Sequence, residues 1–403
     1  MKVQRVRAME ILDSRGNPTV QAEVVLAGGV RAVAQVPSGA STGSHEALEL
    51  RDGDAARYGG KGVLQAVRNV EEQLGPAIIG MSAADQPAID RVLIGQGSDI
   101  GANATLAVSC AVARAAAIAS GIPLWRSLAG SRTPVLPTPM VNIISGGLHA
   151  GRNIEFQDFL VIPSGYSSLA DTLEAVVRVH KTTAKLLAKN GFVLTGAADE
   201  GGWGPQLGSN EEAAAILREA IAASGARMDI ALDVAASHFG GPSGYRLENR
   251  ELSSAGMADL LGGWIPKYGI VSIEDPLGED DWEGWRHITR QLGPRVRLIG
   301  DDLFVTNLDR LNRGIREGAA NAVLVKMNQI GTVTQTFAVI DRAREAGFGA
   351  VISARSGETE DAFLADLAVA SGAGQIKIGS ITRSERLAKY NRLLEIERWE
   401  MPA

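Results

Sequence analysis

Charged residues follow six short apolar runs in the second half of the chain. The runs IALD, VSIE, RLIGD, AVLVK, VISAR and QIK end at Asp233, Glu274, Asp301, Lys326, Arg355 and Lys377. Successive charges are 22 to 41 residues apart, and helix-patterned stretches separate most runs, which is typical of βα units in a barrel. Because the carboxyl ends of barrel strands converge on one face, these charges should meet there. Buried charges require partners, so we expect this mouth of the barrel to bind a metal and an anion.

The acids of this series form the predicted metal site. Asp233, Glu274 and Asp301 offer hard oxygen ligands from three successive strand ends, and such ligands suit Mg²⁺. The sequence contains no cluster of Cys and His residues that would favour zinc. One acid at the start of a loop would mean little, but three in phase favour a metal site over ordinary loop residues.

Cationic side chains follow the acids on the next strands. Lys326, one strand beyond Asp301, should have a lowered pKa beside a bound dication and a second lysine, which would make it a general base. The alternative for Lys326 is a structural salt bridge to one of the acids. Arg355 and Ser356 offer a guanidinium fork and a hydroxyl group that suit a phosphate. Lys377 offers a point charge that suits a carboxylate.

Residues outside the strand series could complete the site. The Gly/Ser-rich loop 37–46 could be a lid whose Ser41 reaches a metal–phosphate pair, or it could be a plain connection. Glu200 lies in the glycine turn ADEGG and Asp158 lies in the strand-like run EFQDF. A buried carboxylic acid from these segments could face the lysine base. His149, in GGLHAG, would by itself more often be a satisfied loop or core histidine.

Composition and charge exclude several classes of protein. The 403 residues carry a net charge of -6 that is spread along the chain without a basic stripe, so we expect no nucleic-acid partner. Cys110 is the only cysteine, which excludes an internal disulfide. The apolar stretch 105–125 is interrupted by Arg114, which predicts a buried helix rather than a membrane span. The amino-terminal segment has no long apolar region, and we expect a cytoplasmic protein with no membrane partner.

The chain divides into two predicted domains. Strands followed by helices indicate an α+β domain over residues 1–130. Three prolines within 131–140 mark the boundary, and residues 131–403 form the second domain, which contains the barrel series. In the first domain the predicted strands lie at 19–26 and 30–36 and the helical patterns at 61–75 and 105–125.

Several long motifs together resemble the enolase family almost from end to end of the chain. They include DSRGNPTV, VPSGASTG, EALELRDGD, SIEDPLGEDDWEGW, GDDLFVTN, VKMNQIGT, RSGETEDAF and GQIKIGSITRSERLAKYN. The resemblance implies an α/β protein with an amino-terminal α+β capping domain and a carboxyl-terminal, enolase-type β/α (TIM-like) barrel whose first turns are atypical. It also implies an enzyme that binds one Mg²⁺ ion tightly and a second with substrate. Its reaction would be the reversible dehydration of 2-phosphoglycerate to phosphoenolpyruvate.

The resemblance also gives each candidate residue a role. Asp233, Glu274 and Asp301 correspond to the ligands of the tight metal. Ser41 corresponds to the lid ligand of the second metal, and Lys326 to the base that removes the proton next to the carboxylate. The other assignments are Glu200 and Asp158 to the acid side, Arg355 and Ser356 to the phosphate, Lys377 to the carboxylate, His149 to a mobile-loop histidine, and Gln157 to substrate binding.

The chain departs from the family's pattern on the side that handles the leaving hydroxyl group. Ala354 stands where the family's S-H-R-S-G-E segment has histidine, Asp158 where Q-E-F has glutamate, and Ala198 where G-D-E-G-G has glycine. Loss of an imidazole opens space, and the shorter acid withdraws its carboxylate by about 1.5 Å. Displacements on that scale can lower a rate about a hundredfold.

The resemblance also implies a homo-oligomer, a dimer or higher. Family dimers commonly pair charges between the amino-terminal strands and the last helices. The corresponding positions in this chain read Met9, Gln21 and Glu395, where the family usually has Arg, Glu and Arg. The usual interface ion pairs are therefore missing.

Three functions are compatible with these residues. The main prediction is an enzyme diverted to forming a related phosphonate enolpyruvate, as a carboxyphosphonoenolpyruvate synthase does, which Ala354 and Asp158 favour. The first alternative is a phosphopyruvate hydratase, which the nearly complete motif set favours. The second alternative is a non-catalytic enolase-like binding protein, which the intact Lys326 opposes. For both enzymes the predicted partner is a small phosphorylated carboxylate.

Overall fold

The computed structural model describes residues 1–39, 43–194, 196–241 and 244–401. Within these ranges the chain forms a three-stranded antiparallel sheet with covering helices, a closed eight-stranded barrel and a small three-stranded sheet beside the barrel. The predicted lid residue Ser41 lies outside the described residues. The predicted combination of an α+β part with a β/α barrel is confirmed.

The amino-terminal sheet has β2 at its centre. It consists of β1 (Val3–Leu12), β2 (Pro18–Leu26) and β3 (Arg31–Gln35), in that order. Alternating apolar residues predict β2 and β3 from the sequence, but β1 was not predicted. Its run VQRVRAMEIL shows little alternation of apolar and polar residues, because most of its side chains are exposed or only partly buried. Pairing with β2 along its whole length is what makes β1 a strand.

The described amino-terminal part contains five helices, and α4 packs on β2 and β3 to form its core. The helices are α1 (Leu64–Asn69), α2 (Gly75–Ile78), α3 (Gln86–Ile94), α4 (Ala102–Ser120) and α5 (Leu124–Ala129). By length and composition α4 is apolar enough to cross a membrane, but it is mostly buried inside the protein, as the core helix of a globular domain is. The predicted buried helix at 105–125 is therefore confirmed.

The predicted helical pattern at 61–75 is divided into short pieces. A π-helical segment (Val70–Leu74) separates α1 from α2. Pro76, near the start of α2, lacks an N–H group, so the regular ladder of α-helical hydrogen bonds cannot pass through it.

The second part contains the barrel and its helices. Its strands are β4 (Thr138–Ser145), β5 (Asp158–Pro163), β6 (Met228–Asp233), β7 (Gly240–Gly241), β8 (Gly244–Leu247), β9 (Arg250–Leu252), β10 (Ile270–Glu274), β11 (Arg297–Gly300), β12 (Ala322–Val325), β13 (Gly349–Ser353) and β14 (Gln375–Gly379). Its helices are α6 (Leu169–Lys189), α7 (Asn210–Ser224), α8 (Ser254–Tyr268), α9 (Trp282–Leu292), α10 (Leu308–Glu317), α11 (Val333–Glu345), α12 (Phe363–Ser371) and α13 (Ser384–Glu395).

The barrel closes in the order β10-β11-β12-β13-β14-β4-β5-β6. Strand β5 runs antiparallel to both of its neighbours, β4 and β6, and the other pairs are parallel. The expectation of atypical first turns is therefore confirmed. This order places β12 and β5 diametrically opposite each other in the ring, which matters for the chemistry described below.

Side chains inside the barrel alternate along each strand, so one strand contributes to several layers. The middle of the barrel is filled by a compact apolar cluster. Its members are Met140, Leu160, Ile162, Ala231, Ile299, Ala322, Leu324 and Val351. On β11, every second side chain points into the barrel. Ile299 lies in the apolar cluster, Asp301 lies on the same side at the carboxyl end of the strand, and Arg297 lies on the same side at its amino end. The apolar layer therefore separates two polar ends of the barrel.

Hydrogen bonds tie the amino-terminal part to the barrel. Ser38 N donates to Gly357 O at 2.7 Å, and Gly357 N donates back to Ser38 O at 2.9 Å. The Arg114 guanidinium on α4 contacts both carboxylate oxygens of Asp361, at 2.9 and 2.6 Å. We place the boundary between the domains, 1–130 and 131–403, in the segment between α5 and β4.

The contribution of the Arg114–Asp361 ion pair to stability can be measured. Replacing Asp361 by Asn should destabilise the protein by about 3 kcal/mol, because it leaves a largely buried guanidinium without its counterion. The measurement is the free energy of unfolding in denaturant at neutral pH.

The control for this change is Glu174→Gln. The Arg178–Glu174 pair is exposed, with side chains 45% and 63% accessible, so its loss should change stability by less than about 0.5 kcal/mol. Equal effects of the two substitutions would contradict the claim that Arg114 anchors the domains.

Candidate metal and active site

The three predicted metal ligands lie at the carboxyl mouth of the barrel. Asp233 and Glu274 are the last residues of the neighbouring strands β6 and β10, and they are directly paired in register. Asp301 follows β11, the next strand in the ring. All three side chains are buried, with residue exposures of 2%, 2% and 7%. The strand ends therefore place the three acids at one mouth of the barrel, but among the described residues Asp301 groups within 4.8 Å with Asp275 and Asp302 and not with Asp233 and Glu274.

Lys377 lies between two of these acids. Its ammonium group contacts Asp233 Oδ2 at 2.7 Å and the two Glu274 oxygens at 2.9 and 2.8 Å. Burial alone would raise the pKa of Asp233, but the Lys377 charge outweighs it and lowers that pKa. Burial and the nearby Asp233 charge raise the pKa of Glu274 well above its usual range. Two of the three predicted metal ligands therefore share one buried ammonium group.

Lys326 pairs with the third acid. Its Nζ atom contacts Asp301 Oδ2, and Gln329 Nε2 donates to Asp301 Oδ1 at 3.2 Å. Burial alone would lower the pKa of the Lys326 ammonium group, but the Asp301 carboxylate outweighs it and raises that pKa. This direction is opposite to the expected one, because the expectation assumed that a dication would occupy Asp301. Two further positive neighbours, Arg355 and Lys377, act to lower the pKa of Lys326.

A second layer of acids lies directly behind the predicted ligands, and the sequence analysis missed it. Asp275 and Asp302 are buried, and one oxygen of each lies within 4.8 Å of an Asp301 oxygen. The Asp275 carboxylate accepts hydrogen bonds from the backbone N–H groups of Asp301 and Asp302, at 2.9 and 2.7 Å. Burial and the neighbouring acids raise the pKa of Asp302 to about 7. The doubled acids in SIEDP and GDDLF were the available sequence signal.

On the opposite side of the mouth, His149, Asp158 and Glu200 form a buried acid–imidazole group. His149 Nδ1 lies 2.9 Å from Asp158 Oδ2, and His149 Nε2 lies 3.8 Å from Glu200 Oε1. Burial opposes the charged imidazole, but the two acids outweigh it and raise the pKa of His149 to about 9.

Asp158 is fixed by the barrel wall. Its carboxylate accepts hydrogen bonds from Asn142 Nδ2 and from Ser145 Oγ, the latter at 3.0 Å, in addition to its contact with His149. Its exposure is 0%, and it does not line the described surface of the site cavity. The shortened acid therefore contacts His149 instead of reaching into the cavity, which the sequence analysis did not foresee.

The predicted phosphate clamp contacts the amino-terminal part. Arg355 Nη1 and Nη2 donate to the two carboxylate oxygens of Glu46, at 2.9 and 3.2 Å. Arg15 Nη1, also from the amino-terminal part, donates to Ser356 Oγ at 3.3 Å. Glu46 was not identified from the sequence, because its partner is more than 300 residues away and no local pattern marks the contact.

One small cavity connects the two sides of the mouth. It is lined by His149, Gln157, Glu200, Asp233, Lys326, Ser353, Ala354, Arg355, Ser356, Lys377 and Ile378. Gln157 Nε2 donates to Asp233 Oδ2 at 3.2 Å, so this amide lies between the metal side and the acid side. The cavity thus brings together the predicted base, the anion-binding residues, Glu200 and one metal ligand. The Ala354 side chain leaves its part of the wall without a polar group.

The donor set fits Mg²⁺. Asp233, Glu274 and Asp301 supply only oxygen atoms, which Mg²⁺ prefers, and two ammonium groups already contact them in this structure. A dication could replace the contacts that Lys377 and Lys326 make, so the residues present suit the metal that the sequence predicts.

Comparisons with known proteins agree over both parts of the chain. The family model "Enolase, N-terminal domain" matches residues 3–128, and "Enolase, C-terminal TIM barrel domain" matches residues 133–400. A protein named "Enolase" from Rubrobacter xylanophilus is 52% identical over 407 residues, which covers 98% of this chain and 94% of that protein.

A Mg²⁺ titration tests the metal site. Replacing Glu274 by Gln should weaken Mg²⁺ binding about tenfold or more, because one of three buried carboxylates loses its charge. Isothermal titration calorimetry measures the dissociation constant. The control is Glu283→Gln, which changes an exposed acid in the first turn of α9 and should leave Mg²⁺ binding as it is. Unchanged affinity in Glu274→Gln would remove this residue from the site.

The pKa of His149 is a second measurable property of the site. Its folded-state value of about 9 exceeds the usual 6.5, so its stabilising effect is complete below pH 6.5 and is lost as the pH rises through about 9. Replacing Asp158 by Asn should lower the pKa of His149 and remove much of this loss. NMR titration of the imidazole reports the pKa directly. A histidine that titrates near 6.5 in both proteins would contradict the contact with Asp158.

Proposed function

The chain belongs to the enolase family of Mg²⁺-dependent lyases, and from this premise we propose that it is a phosphopyruvate hydratase. It would interconvert 2-phosphoglycerate and phosphoenolpyruvate. The observation that carries the proposal is the placement of Lys326 and Glu200 on one cavity. Lys326 follows β12, and Glu200 lies in the connection after β5, the strand across the ring. A proton and a hydroxyl group could leave neighbouring carbon atoms of one substrate towards these two groups.

Asp233, Glu274 and Asp301 would hold the metal, which when bound would stabilise the negative charge that develops on the substrate carboxylate. Lys326 would remove the proton next to that carboxylate. Once Asp301 no longer neutralises it, its burial and the charges of Arg355 and Lys377 would favour the neutral amine that a base requires.

The anion-binding residues would orient the substrate. Arg355 would bind the phosphate in place of Glu46, since a guanidinium fork binds a phosphate in two-pronged geometry as it binds a carboxylate. Lys377 would move from the acids to the substrate carboxylate. Ser356 and Gln157 line the same cavity and would add hydrogen bonds. Ser41 is proposed as a lid ligand on the family pattern alone.

The acid side would assist the departure of hydroxide. Glu200 lines the cavity, and His149 lies beside it. Because the Asp158 carboxylate is held by Asn142, Ser145 and His149, we assign it a positioning role: it orients His149 and keeps it charged. This differs from the direct catalytic role that the resemblance implies for Asp158.

A second candidate is the formation of a related phosphonate enolpyruvate. Ala354 at the cavity wall and the withdrawn Asp158 favour it, because both leave more room and fewer polar groups beside a substrate. The curated relative is named for the hydratase family and not for this reaction, so the hydratase is the better supported function.

Assembly and location are inferred from the family. We infer a homo-oligomer whose interface differs in charge, since Met9 is 52% exposed on β1, Gln21 accepts a hydrogen bond from Gln35, and Glu395 pairs with Arg392 of its own helix. We also infer a cytoplasmic location, where a hydratase would meet its substrate.

The proposal is tested by the rise in ultraviolet absorbance as phosphoenolpyruvate forms from 2-phosphoglycerate with Mg²⁺. Wild-type protein should turn over, and Lys326→Ala should show no turnover. The double substitution Ala354→His with Asp158→Glu should raise kcat by about a hundredfold, because it restores a donor and moves a carboxylate by about one bond length.

The contrary result is a wild-type protein that binds 2-phosphoglycerate and Mg²⁺ but forms no phosphoenolpyruvate. If the double substitution then restores turnover, the cavity departures have diverted the enzyme, and the second candidate replaces the first. If it does not, neither reaction is supported by these residues.

A further inference from the structure

The amino-terminal mouth of the barrel, at the end opposite the site described above, contains a second polar cavity. Its volume is about 520 Å³. Its lining includes Ser272, Arg295, Arg297, Gly349 and Gln375. The described lining residues contain two arginines and no carboxylate. The cavity is therefore positively charged and rich in hydrogen-bond donors.

Among the described residues, Arg297 has no carboxylate as a counterion. It is the first residue of β11 and lies on the inward-facing register of Ile299 and Asp301. Its Nη1 atom contacts Gln375 Oε1, and it forms no ion pair with any acid in the described ranges. Burial lowers the pKa of Arg297, and no neighbouring carboxylate compensates. A bound anion would stabilise a partly buried cation that has no carboxylate beside it.

Ser272 provides evidence for a ligand that does not depend on Arg297. It lies on β10 directly opposite Arg297 in the strand register. Its exposure is 1%, and its Oγ atom has no hydrogen-bond partner within the described structure. Buried hydroxyl groups are normally paired, and an unpaired one is costly. Because paired residues of parallel strands project to the same side, the hydroxyl and the guanidinium face the same cavity.

Gly349 shapes the space beside these two groups. A Cβ atom at this position would come within 3.2 Å of Arg297 Nε, so a side chain here would press on the guanidinium. At the rim, Arg295 is exposed and adds a second positive charge. The cavity is thus open to solvent on one side and carries a buried hydroxyl group and a guanidinium on the other.

We propose that this cavity binds a phosphate group, either inorganic phosphate or the phosphate of a small monoester. The Arg297 guanidinium and the Ser272 hydroxyl bind its oxygen atoms, and Arg295 approaches from the rim. A cation is excluded because no carboxylate lines the cavity, and an apolar ligand would leave both polar groups unpaired. The site is separated from the proposed active site by the apolar layer of the barrel, and its existence does not depend on the proposed reaction.

Calorimetric titration of inorganic phosphate into metal-free protein, at constant ionic strength, tests the site. Arg297→Gln should weaken this binding about tenfold or more, and Ser272→Ala about threefold or more, because each removes a hydrogen-bond donor to a charged ligand. The matched control is Arg290→Gln, which removes an equal charge from the last turn of α9 away from the cavity. It should bind phosphate as the wild type does.

Ser272→Ala also guards against misfolding as an explanation. It removes an unpaired buried hydroxyl, so without phosphate its unfolding temperature should equal or exceed that of the wild type, while phosphate should raise it less. A parallel titration with methyl phosphate distinguishes the sources: binding equal to that of phosphate identifies a monoester site, and loss of binding identifies a site for the free ion.

Arg355→Gln separates this proposal from the proposed function. If phosphate binding in the wild type is abolished by Arg355→Gln and unaffected by Arg297→Gln and Ser272→Ala, the only phosphate site is the proposed active site and the inference is overturned. Binding that survives Arg355→Gln but falls in the other two variants supports it, whatever reaction the enzyme carries out.

Discussion

Three carboxylates and two ammonium groups share one buried mouth, and this charge balance is the constraint on which the structure depends. Asp233, Glu274 and Asp301 are each at most 7% exposed, where isolated carboxylates would be very costly. Lys377 contacts the first two and Lys326 the third, so the two ammonium groups offset part of the negative charge of the three acids. The same oxygen atoms are the ligands that Mg²⁺ prefers, so a dication could replace the contacts that the ammonium groups make in this arrangement.

Residues from both parts of the chain take part in these charge contacts. Backbone N–H groups hold Asp275 behind the ligands, and Glu46 from the amino-terminal part pairs with Arg355. The amino-terminal part therefore supplies an acid that pairs with Arg355, the residue proposed to bind the substrate phosphate. A substrate that carries both a phosphate and a carboxylate would exchange partners with these groups and release lysines and acids together. Under the proposed function, this exchange would link substrate binding to metal binding and to the protonation of Lys326.

The sequence predicts the barrel and its strand-end charges well, because side-chain alternation and βα spacing are local signals. It predicts β1 poorly, because its exposed charges hide a strand that only its partner stabilises. The direction of the Lys326 pKa shift and the enclosure of Asp158 by Asn142, Ser145 and His149 depend on distances across the barrel, which no local pattern contains. Glu46 was missed for the same reason, whereas Asp275 and Asp302 had a local signal in the doubled acids of SIEDP and GDDLF. Ser41 lies outside the described residues, and its role stays a prediction.

Anomalous diffraction from crystals grown with Mn²⁺ in place of Mg²⁺ tests the central claim most directly. The account predicts a strong anomalous peak bounded by Asp233, Glu274 and Asp301, with the Lys377 and Lys326 ammonium groups displaced from their acids. A peak confined to Asp275, Asp301 and Asp302, or no peak while both lysines keep their present contacts, would contradict it.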